Sequence, residues 1–557
     1  AGGGIFAHNN GTLQFDGSTT MNNSSELTFR NLAINGSLIA PSAFRVAGNF
    51  LNNGVFNHGN SLVTFSDTTL VGGSATSIFY NVSIAGTLTG SSNVMCVAGN
   101  AWTDNGMFNH NTGAVVFAGS DVIMDGTSTS RFYRLTIATN GVLTARAQVP
   151  LAISGVFSND GVFCHNSGTV IFNGTTAIAG RQVTSFNNVT IQSGTLTAPT
   201  DQVGVAGNWV NNGVFNANGG TMVFNGNTAV SGTGAHQFNH VALWGSLVAP
   251  SIMAVSGNWV NDGSFTHNGG AVVFNGTSTI GGGNVSTFFN LTNSGTLTGP
   301  SAALNVEGNW TGSAGVYNNN GGKVTLKGAG AQAITTGGAW NGGTNNWKNN
   351  WNRLEVQNAS TGGVSFTDGF KARELVCTTS GACLYFQAQQ ELTNVYEVSA
   401  SGGLIFQGAS GQLIKLRRLS GATNEQWELS PSGGGWSVGY VDVQDGVNSY
   451  TNAIFPTAST DSGNNRNWFT TTLVTFQWFK PLGRHGEVYV QWKTATEANN
   501  AGFNVYRSTS SDGVYERINR SPIPGLGTSL RGAFYRYVDD GVTDGATYYY
   551  KLEAVEV

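Results

Sequence analysis

Lysine is missing from the first 322 residues of this 557-residue chain; the first is Lys323. Charge of either sign is scarce, with Asp, Glu, Lys and Arg making up 10% of the residues, against roughly 25% in ordinary globular domains. The first 310 residues carry only six Arg and ten acidic side chains. No basic stripe is present to neutralise phosphates, which excludes a nucleic-acid partner. No apolar run approaches the ~20 residues of a membrane helix. Four Cys are too few for a disulfide scaffold. No 3.6-residue apolar periodicity persists, which argues against helices. The chain opens at Ala1 with neither Met nor a signal-peptide pattern, as expected of a processed product or of part of a longer one.

What is present is glycine, 79 residues of it, in a chain that is 40% hydrophobic with a formal net charge of −4. A disordered chain combines low hydrophobicity with high net charge, so an ordered chain with a sizeable core is expected. The glycine sits in a recurring phrase: "GNWVNNGVFNANGGTMVFNG" from Gly207, "GNFLNNGVFNHGNSLVTFSD" from Gly48 and "GNWVNDGSFTHNGGAVVFNG" from Gly257. Aligned, the copies give three aromatic columns. The first is Phe50, Trp102, Phe157, Trp209, Trp259 and Trp310. The second is Phe6, Phe56, Phe108, Phe163, Phe215, Phe265 and Tyr317. The third is Phe15, Phe65, Phe117, Phe172, Phe224, Phe274 and Leu326. Spacings of 50 to 56 residues are the signature of a solenoid, propeller or array.

Each period has two unlike halves, one ending in strands such as "TMVFNG", the other reading "FNNVTIQSGTLTAP" or "FYNVSIAGTLTG". Apolar and small polar residues alternate, as in short strands with one buried face. "NNG", "NDG" and "GG" between them are turns, where Asn and Gly accept positive φ. Two half-units of about 25 residues fit two coils of a parallel β-helix, which places equivalent side chains above one another every second coil. The aromatic columns are then stacks inside the cylinder, and Asn49, Asn100, Asn208, Asn258 and Asn309 a ladder near a bend. A four-stranded propeller blade competes; the unlike halves favour the solenoid. About 13 coils to residue 327 and six more to 470 give a rod on the order of 90 Å.

From residue 328 the repeat fades while strands continue, so 1–327 reads as regular solenoid and 328–470 as degenerate coils that cap it, with Lys323 and Lys327 just before them and Lys348 and the Arg417-Arg418 pair within them. "TDSGNNRNW" (460–468) resembles the closing segment of β-helical regions in large secreted bacterial proteins. Residues 471–557 change character: "EVYVQWKTATEANNAGFNVYRSTSSDGVYERI" and "YRYVDDGVTDGATYYYKLEAVEV" resemble fibronectin type III-like modules at the carboxyl ends of secreted bacterial proteins. The resemblance implies an extracellular sandwich for spacing, sorting or assembly, with Trp492 and Tyr506 in its core and Tyr548 or Tyr550 near its tyrosine corner. It also implies one more strand after Val557, so the sandwich is expected to lack its last strand.

His8, His58, His110, His165 and His267 form a further column, too widely spaced to supply a zinc ligand set and expected to decorate turns. Asp104, Asp160 and Asp262 fall where other repeats have Asn, which a catalytic acid would not tolerate. Asp442 and Asp445 in "YVDVQDG" are the remaining carboxylates, expected to serve turns or the cap for want of a basic partner. The mixed column Gln14, Thr64, Val116, Ile171, Val223, Val273 and Thr325 does not suit ice binding. Sequons such as Asn81-Val-Ser83 and Asn188-Val-Thr190 follow from composition. Cys377 and Cys383 flank "TTSGA", a spacing that admits a disulfide; Cys96 and Cys164 are expected as buried thiols. No catalytic residue, metal or cofactor is expected. The expected protein is the structural subunit of an extracellular bacterial fibre whose partner is further copies of itself, joined head to tail by β-pairing. The alternative is a monomeric surface adhesin or stalk that binds glycans, with a glycan-active enzyme a distant third.

Overall fold

The computed structural model describes residues 6–22, 25–338, 348–388, 395–422, 425–469, 474–529 and 531–556. Ala1 and Val557, after which the resemblance implies one more strand, lie outside them. Among the described residues there is no helix, and strands make up 56%. The expected parallel β-solenoid is present, with about 22 turns, and is followed by an antiparallel, sandwich-like region. At ~4.8 Å per coil the solenoid runs for about 105 Å.

The coil is shorter than expected. Leu13 lies beside Leu32, and Leu32 beside Phe50, in parallel register, so a turn takes 19 and then 18 residues. Three strands make one coil, since in most of the regular coils a strand pairs with the third one after it, as Thr12–Phe15 does with Asn31–Ile34. A sequence repeat holds eight strands, from Thr12–Phe15 to the equivalent Leu62–Phe65. Eight strands at three per coil make about 2⅔ coils, so a repeat covers neither two coils nor a whole number of them. Equivalent residues therefore move to the next face with each repeat, a turn of about 120°. Leu13 stacks with Leu32 and Phe50, whereas its counterpart Val63 stacks between Phe44 and Val82 on another face. The sequence columns are spirals around the rod, and three repeats are needed to return to one face.

The turn after each "VFN" strand explains the polar part of the phrase. The carbonyls of His58, His110, His165, Ala217, His267 and Asn319 each accept the backbone N–H three residues on. The two residues between have positive φ, for example 49° at Asn218 and 76° at Gly219. This is a type I′ turn, which only Gly and, less readily, Asn accept without strain. The Gly of each Gly-Asn pair answers a different need: a Cβ at Gly48 would lie 2.5 Å from the Arg30 carbonyl oxygen and from Asn31 Oδ1 of the coil below.

Parallel pairing continues through the degenerate coils to Thr460–Asp461. Antiparallel pairing begins at Val474–Arg484. The long strand Glu487–Ser508 bends and serves two sheets: its first half pairs with Val474–Arg484 and Phe534–Asp539, its second with Ile523–Ser529 and Tyr549–Glu556. Val490, Trp492, Phe503 and Val505 are its fully buried core. Trp492 lies where the resemblance placed it. Tyr506 does not: strand alternation turns it outward, where its hydroxyl donates to Glu553 Oε2 at 2.6 Å, and Phe503 and Val505 fill the core instead. Tyr550 packs against this core and donates to Asp539 Oδ2 at 2.8 Å, while the Tyr548 hydroxyl accepts the Thr543 N–H at 3.1 Å.

Candidate functional site: aromatic boxes, buried corners and turn histidines

Nearly all the expected aromatic columns are buried, but as boxes within one repeat and not as continuous stacks. Phe50, Trp102, Phe157, Trp209, Trp259 and Trp310 are at most 1% exposed, and Phe65, Phe117, Phe172, Phe224 and Phe274 are fully buried. Phe56, Phe108, Phe163 and Phe215 are buried too, whereas Phe265 is partly buried against the same core. Each box closes on an unanticipated fourth ring: Phe79, Phe132, Phe186, Phe238 or Phe288, the first aromatic of the "FYN" or "FNN" half. Phe79 meets Phe50, Phe56 and Phe65 at centroid distances of 5.3, 5.7 and 5.6 Å. Trp102 meets Phe108, Phe117 and Phe132 at 5.0, 5.8 and 5.5 Å. Edge-to-face and tilted contacts at such distances add about 0.5–1.5 kcal/mol per pair beyond burial.

The Asn ladder is likewise a spiral of links between successive coils. The backbone N–H groups of Asn49, Asn100, Asn208 and Asn309 donate to Oδ1 of Asn31, Asn81, Asn188 and Asn290 one coil below, at 2.8–2.9 Å. His240 Nδ1 does the same for Asn258 at 2.8 Å. Upward, Asn258 and Asn309 Oδ1 accept from Thr279 and Ala333 at 3.1 and 2.8 Å, and Asn208 from Ala229 at 3.4 Å. A second Asn set, overlooked in the sequence, lies inside the coil. Asn52, Asn159, Asn211 and Asn261 are at most 1% exposed, and Asn159 and Asn211 donate to Thr184 Oγ1 at 3.2 Å and the Ala235 carbonyl at 2.8 Å.

Asp104 belongs to this inner set, and the sequence grouped it wrongly with the turn residues. Asp160 and Asp262 do sit at exposed turns, accepting the N–H of Arg181 and Gly283. Asp104 is fully buried, and burial raises its pKa above the ordinary carboxyl value. Ser130 Oγ donates to it at 2.9 Å, Trp102 Nε1 and Arg146 Nη2 reach the same Ser130 at 3.2 Å, and Arg146 Nη1 donates to the carbonyls of Asp125 and Gly126. Carboxylate and guanidinium are thus joined through a hydroxyl, inside the wall of the rod.

At the equivalent corner the repeat of Trp209 differs. Ser286 accepts from Trp259 Nε1 at 3.0 Å, but His236 stands opposite Trp209. His236 is 8% exposed, and neither its Nδ1 nor Trp209 Nε1 has a partner in the protein. Burial lowers the His236 pKa. The ring borders a surface groove of about 590 Å³, formed by residues 230–237 with 249–252, Ala254 and Asn268 and free of Asp, Glu, Lys and Arg.

The five column histidines hold their turns together. Nδ1 of His8, His58, His110, His165 and His267 accepts the backbone N–H two residues on, at 2.9–3.1 Å. His58 stacks on Tyr80 and His110 lies against Tyr133; burial lowers the pKa of His58, His110 and His165. His267 Nε2 faces Glu307 Oε2 at 2.9 Å. Successive places in this column lie about 13 Å apart along the axis and on different edges, and His165 and His267, with Ala217 between them, about 26 Å. Among the described residues no three His, Cys, Asp or Glu side chains gather closely enough to hold a metal ion.

Two expectations fail in the degenerate coils. Cys377 and Cys383 are free thiols. They end and begin strands on different faces: Cys377 lies beside Val356 and Phe406, Cys383 beside Lys415. Cys96 and Cys164 are also free and only half-buried. Asp442 and Asp445 do have basic partners, since coil stacking places Arg417 and Arg418 below them. Arg417 Nη2 pairs with Asp442 Oδ2, and Arg418 Nε lies 3.6 Å from Asp445 Oδ2. Ser462 also donates to Asp442, and although burial raises its pKa, these hydrogen bonds leave it lowered.

Comparison with protein-family models, with curated proteins and with solved structures finds no match.

Proposed function

We propose that this chain is a structural subunit of an extracellular bacterial fibre, with the solenoid as its shaft and the sandwich, read as a fibronectin type III-like module, as an assembly or attachment element. The supporting observation is the face-rotating repeat. Its boxes, corners and turns recur about every 2⅔ coils, so each edge of the rod receives the same fittings in turn and none is singled out as a site. The charged groups drawn into the wall, Asp104 with Arg146 and Asp442 with Arg417, are tied to one another. Such a wall supplies length and stiffness. A parallel stack presents rows of backbone donors and acceptors at any uncovered end, and head-to-tail β-pairing between copies is the proposed contact, a heterologous contact that builds open filaments.

The alternative is the same rod acting singly, as an adhesin or glycan-binding stalk. It is favoured by the exposed aromatic and cationic residues of the sandwich. Negative-stain microscopy of native material separates the two: a fibre shows a regular axial repeat longer than the 105 Å or so of one solenoid, and separate rods of one length remove the filament reading.

A further inference from the structure

The sheet made by Val474–Arg484, the first half of Glu487–Ser508 and Phe534–Asp539 has one face on the sandwich core, through Phe479, Trp492 and Tyr535. Exposed antiparallel faces ordinarily alternate to polar residues. Here Trp478 and Phe534 flank Lys493 in one cross-strand row, and Lys480 and Arg536 flank Gln491 in the next. Trp478 and Phe534 are 40% and 55% exposed, with ring centroids 5.9 Å apart. One row further on, Tyr489 is bracketed by Arg484 and Arg536, whose guanidinium carbons lie 5.2 and 5.3 Å from its ring centre.

Charge on this module is segregated. Lys480, Arg484, Lys493 and Arg536 are exposed, and none makes an ion pair among the described residues. Several of the module's carboxylates are engaged elsewhere: Glu497 is buried among hydrogen bonds, Asp539 pairs with Arg507, and Glu553 accepts from Asn504 and Tyr506. The rows from Trp478 to Arg484 thus carry four cations among exposed rings, and Glu487, opposite Arg484 at the end of the face, is the carboxylate in register with them.

We propose that this face binds an acidic polysaccharide, one bearing carboxylate or sulfate, laid across the three strands. The cations supply complementarity to its charge, and the exposed ring faces receive the C–H faces of its sugar rings through their negative π surfaces. A neutral glycan would leave the cations unmatched, and an acidic peptide would leave Trp478 and Phe534 without a ring partner. The proposal holds for a fibre subunit and for a single stalk alike.

The test is titration of the full chain with oligogalacturonate, with sulfated dextran, with neutral maltooligosaccharide and with polyglutamate. At least one acidic saccharide binds, and binding weakens at least tenfold between about 0.05 and about 0.5 M salt. Maltooligosaccharide does not bind, and polyglutamate binds at least about tenfold more weakly. Comparing the uronate and the sulfate identifies the anion. Trp478→Ala/Phe534→Ala and, separately, Arg536→Glu each lower saccharide affinity by about tenfold or more with the thermal midpoint unchanged. The proposal is overturned if neither acidic saccharide binds, if polyglutamate binds as tightly as the saccharide, or if both variants bind normally. A change of oligomeric state in the double variant without loss of saccharide binding also overturns it, and assigns the face to a second copy.

Discussion

Trp259 Nε1 donates to Ser286 Oγ at 3.0 Å across an inner corner of the coil, and the equivalent pair Trp102–Ser130 is bonded at 3.2 Å. The repeat of Trp209 breaks the pattern by placing His236 opposite the indole, and neither His236 Nδ1 nor Trp209 Nε1 has a partner in the protein.

The repeats thus contain their own control. His236→Ser should restore the missing bond and stabilise the chain by about 1 kcal/mol, whereas Ser286→Ala should strand the Trp259 N–H and destabilise by about 1–3 kcal/mol. Denaturant unfolding with unchanged slope reads both. A destabilising His236→Ser would mean that the histidine has a role of its own at the groove it borders.

The aromatic boxes predict a graded response to truncation. Trp209→Ala or Phe224→Ala should destabilise by roughly 3–5 kcal/mol. Phe79→Ala should fall in the same range, because that ring touches three others. Exposed Val214, at 58%, is in the same repeat as Trp209, and Val214→Ala should change stability by less than about 0.5 kcal/mol. Equal effects at Val214 and Trp209 would show that the boxes do not hold the rod together.

Those columns were legible because a buried aromatic must recur wherever its pocket recurs, and a parallel stack follows from short alternating strands joined by Gly and Asn turns. The number of coils per repeat was not legible. A period of about 50 residues states how often a pattern returns, and the residues per turn depend on where the backbone bends, which the three-residue strands hide. From that one error came the false two-coil ladder and the supposed histidine column. Phe79 and Asn52 stood in plain view in "FYN" and "LNNG"; what was missing was the register that carries them inward. Arg417 and Asp442 are 25 residues apart, and only the stacking of coils makes them neighbours.

Asp104 and Arg146 should be energetically coupled through Ser130. Arg146→Met leaves a buried carboxyl without its compensating cation and should cost several kcal/mol, since breaking a buried charge pair typically costs about 3–5 kcal/mol. Asp104→Asn installs the residue that other repeats use at this corner. In the double variant the second substitution should recover part of the loss, giving a coupling energy of at least about 1 kcal/mol. Simple additivity would show that the hydroxyl bridge carries no interaction between them.

Acid should loosen the turns. The Nδ1 atoms of His58, His110 and His165 accept backbone N–H groups, an arrangement that a proton on Nδ1 abolishes, and burial lowers the pKa of each ring from its ordinary 6.5. Below that value the unfolded chain binds more protons at these sites than the folded chain, so their contribution to stability is present at higher pH and is lost as the pH falls through about 6.5 toward the lowered folded-state values. Asp104 and Asp368, whose pKa values burial raises, act in the opposite sense at lower pH. The rings are half-buried and solvent screens them, so each should contribute less than about 1 kcal/mol. The comparison that isolates them is the chain with His58, His110 and His165 all changed to Asn. Asn319 already fills this place in another repeat, accepting the Gly321 N–H at 2.8 Å, so the triple variant should match the parent near pH 8. Between about pH 7 and pH 5 its thermal midpoint should fall less steeply than the parent's. Parallel curves for the two chains would show that the turn histidines do not sense pH, and a loss of stability at pH 8 would show that imidazole does something at these turns that an amide cannot.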